Sequence, residues 1–117
     1  MSIVNLSPAD IKSLLDAGKI VLVDVREPAE YQSERIAGAL LMPLSSFDPK
    51  ALPAPDESRP VVFHCGKGGR SAKAVELCLA ANLAHTRHMA GGFQAWRAAG
   101  FPILRLDPAS GQVCSIC

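Results

Sequence analysis

The sequence predicts an α/β fold, a single domain built around a mostly parallel sheet. The chain has 117 residues, which is the length of one domain. Residues 20–24 and 61–64 are short, continuously apolar and rich in β-branched side chains. Strands buried on both faces, as in parallel sheets, have this composition. Segments of amphipathic helical character alternate with these strands, and this alternation indicates β-α-β order.

The first half of the chain predicts two helices and two strands. Ser7 is a suitable helix cap because its hydroxyl can accept an orphan N–H, and the following Pro8 suits the first helical turn. Gly18 is a typical helix end. The predicted elements are a helix from Ser7 to Gly18, a buried strand at 20–24, a helix at 28–34 and a brief strand at 40–42.

The second half begins with a proline-rich connection at 43–60 and then continues the alternation. Ala74, Val75 and Cys78 recur at helical spacing and therefore predict one buried helix face. The predicted elements are a strand at 61–64, a helix at 71–82, a weaker strand at 86–89 and a helix that follows Gly91 and Gly92 and ends at Gly100.

The pattern stops after residue 106. We therefore predict a domain at 1–106 and a flexible tail at 107–117, in which Pro108, Ser110 and Gly111 favour irregular structure. This tail carries Cys114 and Cys117 in a Cys-x-x-Cys spacing. The pair could form a redox disulfide, supply two zinc ligands or relay sulfur, or its thiols could be incidental.

Charge and hydropathy exclude several function classes. Twelve basic and eleven acidic residues give a net charge of +1, which argues against nucleic acid or an anionic membrane as partner. No segment approaches the roughly 18 apolar residues of a membrane span. The first residues lack the basic and apolar regions of an export signal. We therefore expect a cytoplasmic protein whose four cysteines are free or catalytic.

The segment that carries chemistry runs from Cys65, after a buried strand, into a helix N-terminus. Its glycines let backbone N–H groups converge, and the helix start adds unpaired donors and a positive dipole end. Two cations add formal charge. The predicted site is a cup for an anion with the Cys65 thiol at its base, formed by Gly66, Lys67, Gly68, Gly69, Arg70 and Ser71.

Such a cup should make Cys65 a nucleophile, because donors around a sulfur atom favour the thiolate. A drop of two units from the ordinary cysteine pKa needs about 2.7 kcal/mol, which several donors can supply. Only four residues separate Cys65 from Arg70. Cysteine phosphatases carry five residues there, so the shorter loop favours a single sulfur atom over a phosphoryl group.

Three ordered groups of residues resemble the signatures of single-domain rhodaneses, the thiosulfate sulfurtransferase family, over about residues 7–104. One departure is Glu34-Arg35, which stands where the family commonly has glycine and histidine. The matching residues are Asp24-Val25-Arg26-Glu27 with Glu30-Tyr31, Ile36-Ala37-Gly38-Ala39 and Pro43; the loop from Cys65 to Arg70; and Gly91-Gly92-Phe93, Trp96, Gly100 and Pro102.

The resemblance implies a rhodanese-like domain with helices on both faces of its sheet. It also implies transfer of sulfane sulfur through a Cys65 persulfide, from thiosulfate or a related donor to cyanide, a thiol or a thiol protein. No cofactor or metal is expected. Arg70 could orient the anionic donor or pair with a carboxylate, and Lys67 is expected to meet substrate. Asp24 and Arg26 are expected to support the loop.

Other candidates are weaker. His64 is expected to be structural because neighbouring strand residues point to opposite faces, and His85 and His88 face apart for the same reason. Cys78 is expected to be a core residue. A cysteine phosphatase or arsenate reductase relative, and a redox-sensing or sulfur-relay module, stay open as functions.

Overall fold

The computed structural model describes residues 3–116, and its strands form two sheets. The strands in chain order are β1 (Val4–Leu6), β2 (Val21–Asp24), β3 (Glu34–Arg35), β4 (Leu40–Leu41), β5 (Val61–His64), β6 (Arg87–Met89), β7 (Ile103–Leu106) and β8 (Val113–Ile116). The central sheet has the order β1-β6-β5-β2-β4, and all of its pairs are parallel. The smaller sheet, β3-β7-β8, is antiparallel.

Helices cover both faces of the central sheet, which confirms the predicted fold class. They are α1 (Pro8–Asp16), α2 (Pro28–Ser33), α3 (Gly69–Ala80) and α4 (Gly92–Ala98). Ile11 of α1 and Trp96 of α4 pack with Leu22 and Val62 on one face. On the other face, α3 packs its apolar side against Val23, Val61 and Phe63.

The start of α1 shows how local sequence sets an element. The Ser7 hydroxyl accepts a hydrogen bond from the Asp10 N–H, and the Asp10 carboxylate accepts one from the Ser7 N–H. This reciprocal capping box satisfies two N–H groups that would otherwise lack partners. Ser7 is therefore the cap that the sequence predicts.

The segment after residue 106 corrects the prediction of an irregular tail. Strand β8 pairs antiparallel with β7, with Cys114 opposite Arg105. The Asp107 carboxylate accepts from the Ala109 N–H and the Ser110 hydroxyl, and Gly111 adopts a φ of 74°. These residues form a hairpin turn, and the same residue types are common in flexible segments, which is why the sequence predicts a tail here. Cys117 lies outside the described residues.

Sequence patterns also missed β1, β3 and β7, which are short and half-exposed. The connection at 43–60 contains two single-turn 3₁₀ helices, Leu44–Ser46 and Pro49–Ala51. Within residues 3–116, no helix is both long and apolar enough to cross a membrane. Since all central strands run parallel, their carboxyl ends meet at one edge, and open α/β folds place their sites at this edge.

Candidate active site

Cys65 lies directly after β5, at the N-terminus of α3, and its sulfur is surrounded by hydrogen-bond donors. The N–H groups of Gly68 and Ser71 donate to Sγ at 3.0 and 3.3 Å. The Ser71 hydroxyl oxygen lies 3.6 Å from the same sulfur. Cys65 is only 1% exposed. Two main-chain N–H groups of the predicted loop, those of Gly68 and Ser71, therefore converge on the sulfur atom.

These donors make the thiol more acidic. Burial raises the pKa of Cys65, but the Ser71 hydroxyl and the backbone N–H groups of Ser71, Gly68 and Lys67 outweigh burial and lower the pKa below its usual value. A hydrogen bond to a charged form favours that form, and a thiolate accepts more strongly than a thiol. The arrangement therefore favours the thiolate, which is the nucleophilic form of cysteine.

The loop keeps its shape because α4 holds its other side. The Phe93 N–H donates to the Cys65 carbonyl at 2.7 Å, and the Gln94 N–H donates to the Gly66 carbonyl at 3.0 Å. Gly92 allows this contact, because a Cβ at residue 92 would lie 2.5 Å from the Cys65 carbonyl oxygen. The carbonyl groups at 65 and 66 thus point to α4, while later N–H groups of the loop point to the sulfur.

Arg70 is held by a carboxylate from a distant part of the chain. Its guanidinium donates to both oxygens of Glu30 at 2.7 and 3.0 Å. The hydrogen bonds from Arg70 are the main reason that the pKa of Glu30 falls to about 2. Gly66 leaves room for this pair, because a Cβ there would lie 3.2 Å from Arg70 Nη2. Of the two roles considered for Arg70, the structure shows the carboxylate pair.

A cavity of about 320 Å³ opens next to Cys65. Its lining combines the loop with one residue each from α2 and α4: Glu30, Cys65, Gly66, Lys67, Gly69, Arg70 and Gln94. Lys67 is exposed, and among the described residues no carboxylate lies within salt-bridge distance of it. Sequence reasoning did not identify Glu30 or Gln94 as site residues, because only the fold brings them to the loop.

Asp24 and Arg26 lie beside the loop rather than in the cavity. Arg26 donates to Asp24 through Nε and Nη2, at 2.8 to 3.1 Å, and both residues are buried. The Arg26 guanidinium lies 4.4 Å from the ring centre of Phe93. Phe93 therefore links Arg26 to the loop, because its ring contacts Arg26 and its N–H donates to the Cys65 carbonyl.

The histidines differ in their relation to the sulfur. His64 points to the α4 face, where its ring stacks on Phe93, and its Nε2 lies 3.6 Å from the Asp24 carboxylate. His85 bonds the Pro53 carbonyl. His88 is hydrogen-bonded to Ser71, the residue that also contacts Cys65. Sequence reasoning set His88 aside because only its spacing from His85 was considered.

The remaining described cysteines lie outside the cavity. Cys78 is fully buried in the face of α3 that packs on the sheet, and burial raises its pKa to about 11. Cys114 is exposed on β8 of the smaller sheet. Neither residue lines the cavity next to Cys65.

The family description that matches this chain is "Rhodanese-like domain", over residues 7–99. The chain belongs to the rhodanese-like domain family. A solved structure of a rhodanese-related protein from Thermoplasma volcanium superposes with a TM-score of 0.72 at 28% identity, covering 86% of this chain and 96% of that one. The matched residues 7–99 include Cys65 and the loop that follows it.

Two curated relatives show how much of a rhodanese-like protein this chain represents. An uncharacterized protein from Synechocystis is 34% identical over 91% of this chain, which spans 59% of that protein. A protein from Allochromatium vinosum named Sulfurtransferase is 32% identical over 78% of this chain and 84% of its own length. This chain thus matches most of the length of one relative and little more than half of the other.

Proposed function

We propose that this protein is a sulfurtransferase that moves sulfane sulfur from thiosulfate or a related donor to a thiophilic acceptor through a persulfide on Cys65. One observation carries the proposal: the buried Cys65 sulfur accepts hydrogen bonds from two backbone N–H groups, and Cys65 lines an open cavity. The name of the Allochromatium vinosum relative supports the same reaction class.

In the first half-reaction, the Cys65 thiolate attacks the outer sulfur of thiosulfate. A bond forms between the two sulfur atoms as the S–S bond of thiosulfate breaks, and sulfite leaves with the electron pair. Sulfite is a stable anion, so no acid needs to protonate it. The donors around Sγ are fixed before the reaction, and preorganised donors at developing charge are a large catalytic effect.

In the second half-reaction, cyanide or a thiolate attacks the outer sulfur of the persulfide. The persulfide bond breaks and returns its electron pair to Cys65, so the leaving group is again a thiolate. The Gly68 and Ser71 N–H groups stabilise this thiolate as they stabilise the free enzyme. One set of donors can therefore serve both half-reactions.

The charges at the opening bear on the choice of donor. Glu30 offsets the charge of Arg70, which leaves Lys67 as the cation that no described carboxylate balances at this opening. A dianion such as thiosulfate would therefore meet only one uncompensated positive charge, that of Lys67, at this opening. Persulfide donors of lower charge therefore fit the same opening, and a direct comparison of donors is needed to rank them.

The decisive experiment is intact mass spectrometry after exposure to thiosulfate. A persulfide adds about 32 Da, and we expect this adduct in the wild type and in Cys114→Ser but not in Cys65→Ser. Cyanide should remove the adduct and release thiocyanate. An adduct that persists in Cys65→Ser, or its absence from the wild type with every sulfane donor, would overturn the proposal.

A phosphatase activity is the main competing hypothesis, and hydrolysis of p-nitrophenyl phosphate tests it directly. The four-residue spacing between Cys65 and Arg70 favours the sulfurtransferase. The cytoplasmic location, the lack of a resident cofactor and the acceptor class stay predictions.

A further inference from the structure

A chain of hydrogen bonds connects the Cys65 sulfur to the edge of the central sheet. Cys65 Sγ lies 3.6 Å from the Ser71 hydroxyl oxygen, which lies 2.8 Å from His88 Nδ1. His88 Nε2 lies 2.6 Å from the Asn5 side-chain oxygen. Ser71 and His88 are buried, whereas Asn5 is on the exposed edge strand β1.

The fold brings these four residues together. β1 and β5 both pair with β6, and register places Asn5 directly beside His88 on the face that α3 covers. The first turn of α3 places Ser71 above this face. The residues that line the cavity do not include Asn5, Ser71 or His88, so this chain of hydrogen bonds reaches the sulfur through residues outside that lining.

The Asn5 oxygen fixes the tautomer of His88. An amide oxygen only accepts, so His88 Nε2 carries the hydrogen and Nδ1 of the neutral ring is an acceptor. The Ser71 hydroxyl can then donate its single hydrogen to Nδ1, in competition with the Gly68 carbonyl, while its lone pairs face Cys65. In this state a Cys65 thiol donates to Ser71, which in turn donates to His88.

We propose that His88 is a positioning residue that sets the acidity of Cys65 by taking up the thiol proton through Ser71. The S–H bond of Cys65 breaks as that proton bonds to the Ser71 oxygen, and the hydroxyl hydrogen of Ser71 passes to His88 Nδ1. The products are a thiolate and an imidazolium, so the total charge is unchanged. Ser71 then accepts from Nδ1–H and can donate its hydrogen to the sulfur.

The main polar contacts of the His88 ring are the two members of this hydrogen-bond chain, Ser71 and Asn5. Burial lowers the pKa of His88, and no charged neighbour contributes to that shift. The Gly68 carbonyl, 3.1 Å from the Ser71 oxygen, competes for the hydroxyl hydrogen. His64 faces the opposite side of the sheet, and His85 bonds Pro53. Charged side chains on neighbouring elements are paired elsewhere, namely Arg87 with Glu57, Lys73 with Glu76 and Arg70 with Glu30.

This proposal concerns the acidity of Cys65 and rests on the proposed function only for its catalytic consequence. Its test therefore uses no sulfur donor. Cys114→Ser/Cys117→Ser is the background, so that Cys65 is the reactive thiol. The pKa of Cys65 is measured from the pH dependence of alkylation by iodoacetamide and of thiolate absorbance at 240 nm. Failure of sulfur transfer would leave these measurements intact.

Two substitutions should move the pKa of Cys65 in opposite directions. His88→Gln keeps an acceptor for Ser71 but cannot take up a proton, so the pKa should rise and the alkylation rate at pH 6 should fall about threefold to tenfold. Asn5→Asp stabilises the imidazolium, so the pKa should fall. A direct electrostatic effect of the new carboxylate would raise it, and the sign therefore separates the two mechanisms.

His85→Gln is the matched control and should leave the acidity of Cys65 unchanged, because His85 does not contact Ser71. Ser71→Ala should abolish the effect of Asn5→Asp, since it removes the connecting hydroxyl. If His88→Gln does not fold, the Asn5→Asp and Ser71→Ala pair still decides. An unchanged pKa in folded Asn5→Asp, or a rise in it, would overturn the proposal.

Discussion

Cys65 and Cys78 are two buried cysteines on the same face of the central sheet, yet their environments shift their pKa values in opposite directions. Burial alone raises the pKa of Cys78 to about 11. Burial also opposes ionisation of Cys65, but the donors at the start of α3 outweigh it. The difference between an inert and a nucleophilic thiol in this domain is therefore the supply of hydrogen-bond donors, not depth.

Substituting the two cysteines one at a time should give the largest difference in turnover. Cys65→Ser should lower thiosulfate:cyanide turnover at least about a thousandfold, because a hydroxyl does not form the persulfide. Cys78→Ala should keep turnover within about twofold while losing about 1 kcal/mol of stability, since it only trims the core. Steady-state kinetics and urea denaturation measure the two effects. Equal losses of turnover in both variants would contradict the comparison.

Disturbing the contact between α4 and the loop should reduce the difference between the pKa values of Cys65 and Cys78. In Gly92→Ala the new Cβ meets the Cys65 carbonyl, so α4 or the loop must shift, at a cost of roughly 2–3 kcal/mol in stability. The donors should move with the loop, and the alkylation pKa of Cys65 should rise toward that of an ordinary thiol. Gly100→Ala is the control, because its Cβ would meet nothing within 4 Å and its positive φ imposes a similar backbone strain.

Removing the carboxylate that pairs with Arg70 should increase the difference in reactivity between Cys65 and Cys78, because it leaves an additional positive charge near Cys65. Glu30→Gln should improve kcat/KM for thiosulfate about threefold to tenfold and change it less for a singly charged persulfide donor. Glu34→Gln is the matched control, because Glu34 is also paired with arginine, through Arg97 and Arg105, but lies on β3 and does not line the cavity. A lower kcat/KM for both donors would instead indicate that the pair mainly holds the loop.

The Glu30–Arg70 pair also predicts a pH response. The folded-state pKa of Glu30 is depressed to about 2, so its stabilising effect is present above the ordinary glutamate pKa and is lost as pH falls toward 2. Between about pH 5 and pH 8 the carboxylate stays charged. The difference between the unfolding free energies of the wild type and Glu30→Gln should therefore be constant in that range and shrink in acid, as denaturation at each pH would show.

Changes at Cys114 should have the smallest effect. Cys114 is exposed on β8 and does not line the cavity, so Cys114→Ser should leave transfer to cyanide within about twofold of the wild type. A role as relay thiol would show only with dithiol acceptors, as a selective loss of rate in Cys114→Ser/Cys117→Ser. If the double variant transfers sulfur as fast as the wild type to both cyanide and dithiols, the relay hypothesis is wrong. Substitution is preferable to truncation here, since truncation would remove β8 from β7.

Local sequence predicted the parts of the fold that depend on neighbouring residues. The strand at Val61–His64, the glycine loop and the cap at Ser7 all depend on residues within a few positions. The partners of Arg70 and His88 lie 40 and 83 residues away, so only the register of the folded sheet and the position of α2 bring them together. The β7–β8 hairpin was missed because turn-forming residues have the same composition as a flexible tail.

The contact between α4 and the Cys65 and Gly66 carbonyl groups has a mechanical consequence. Each of these two peptide groups is held at its oxygen, which restricts rotation of the Gly66 and Lys67 amides while sulfur is loaded and unloaded. The backbone should then serve as a stationary frame in which only the outer sulfur atom arrives and departs. Amide chemical shifts of α4 should accordingly differ little between the free and the sulfur-loaded protein.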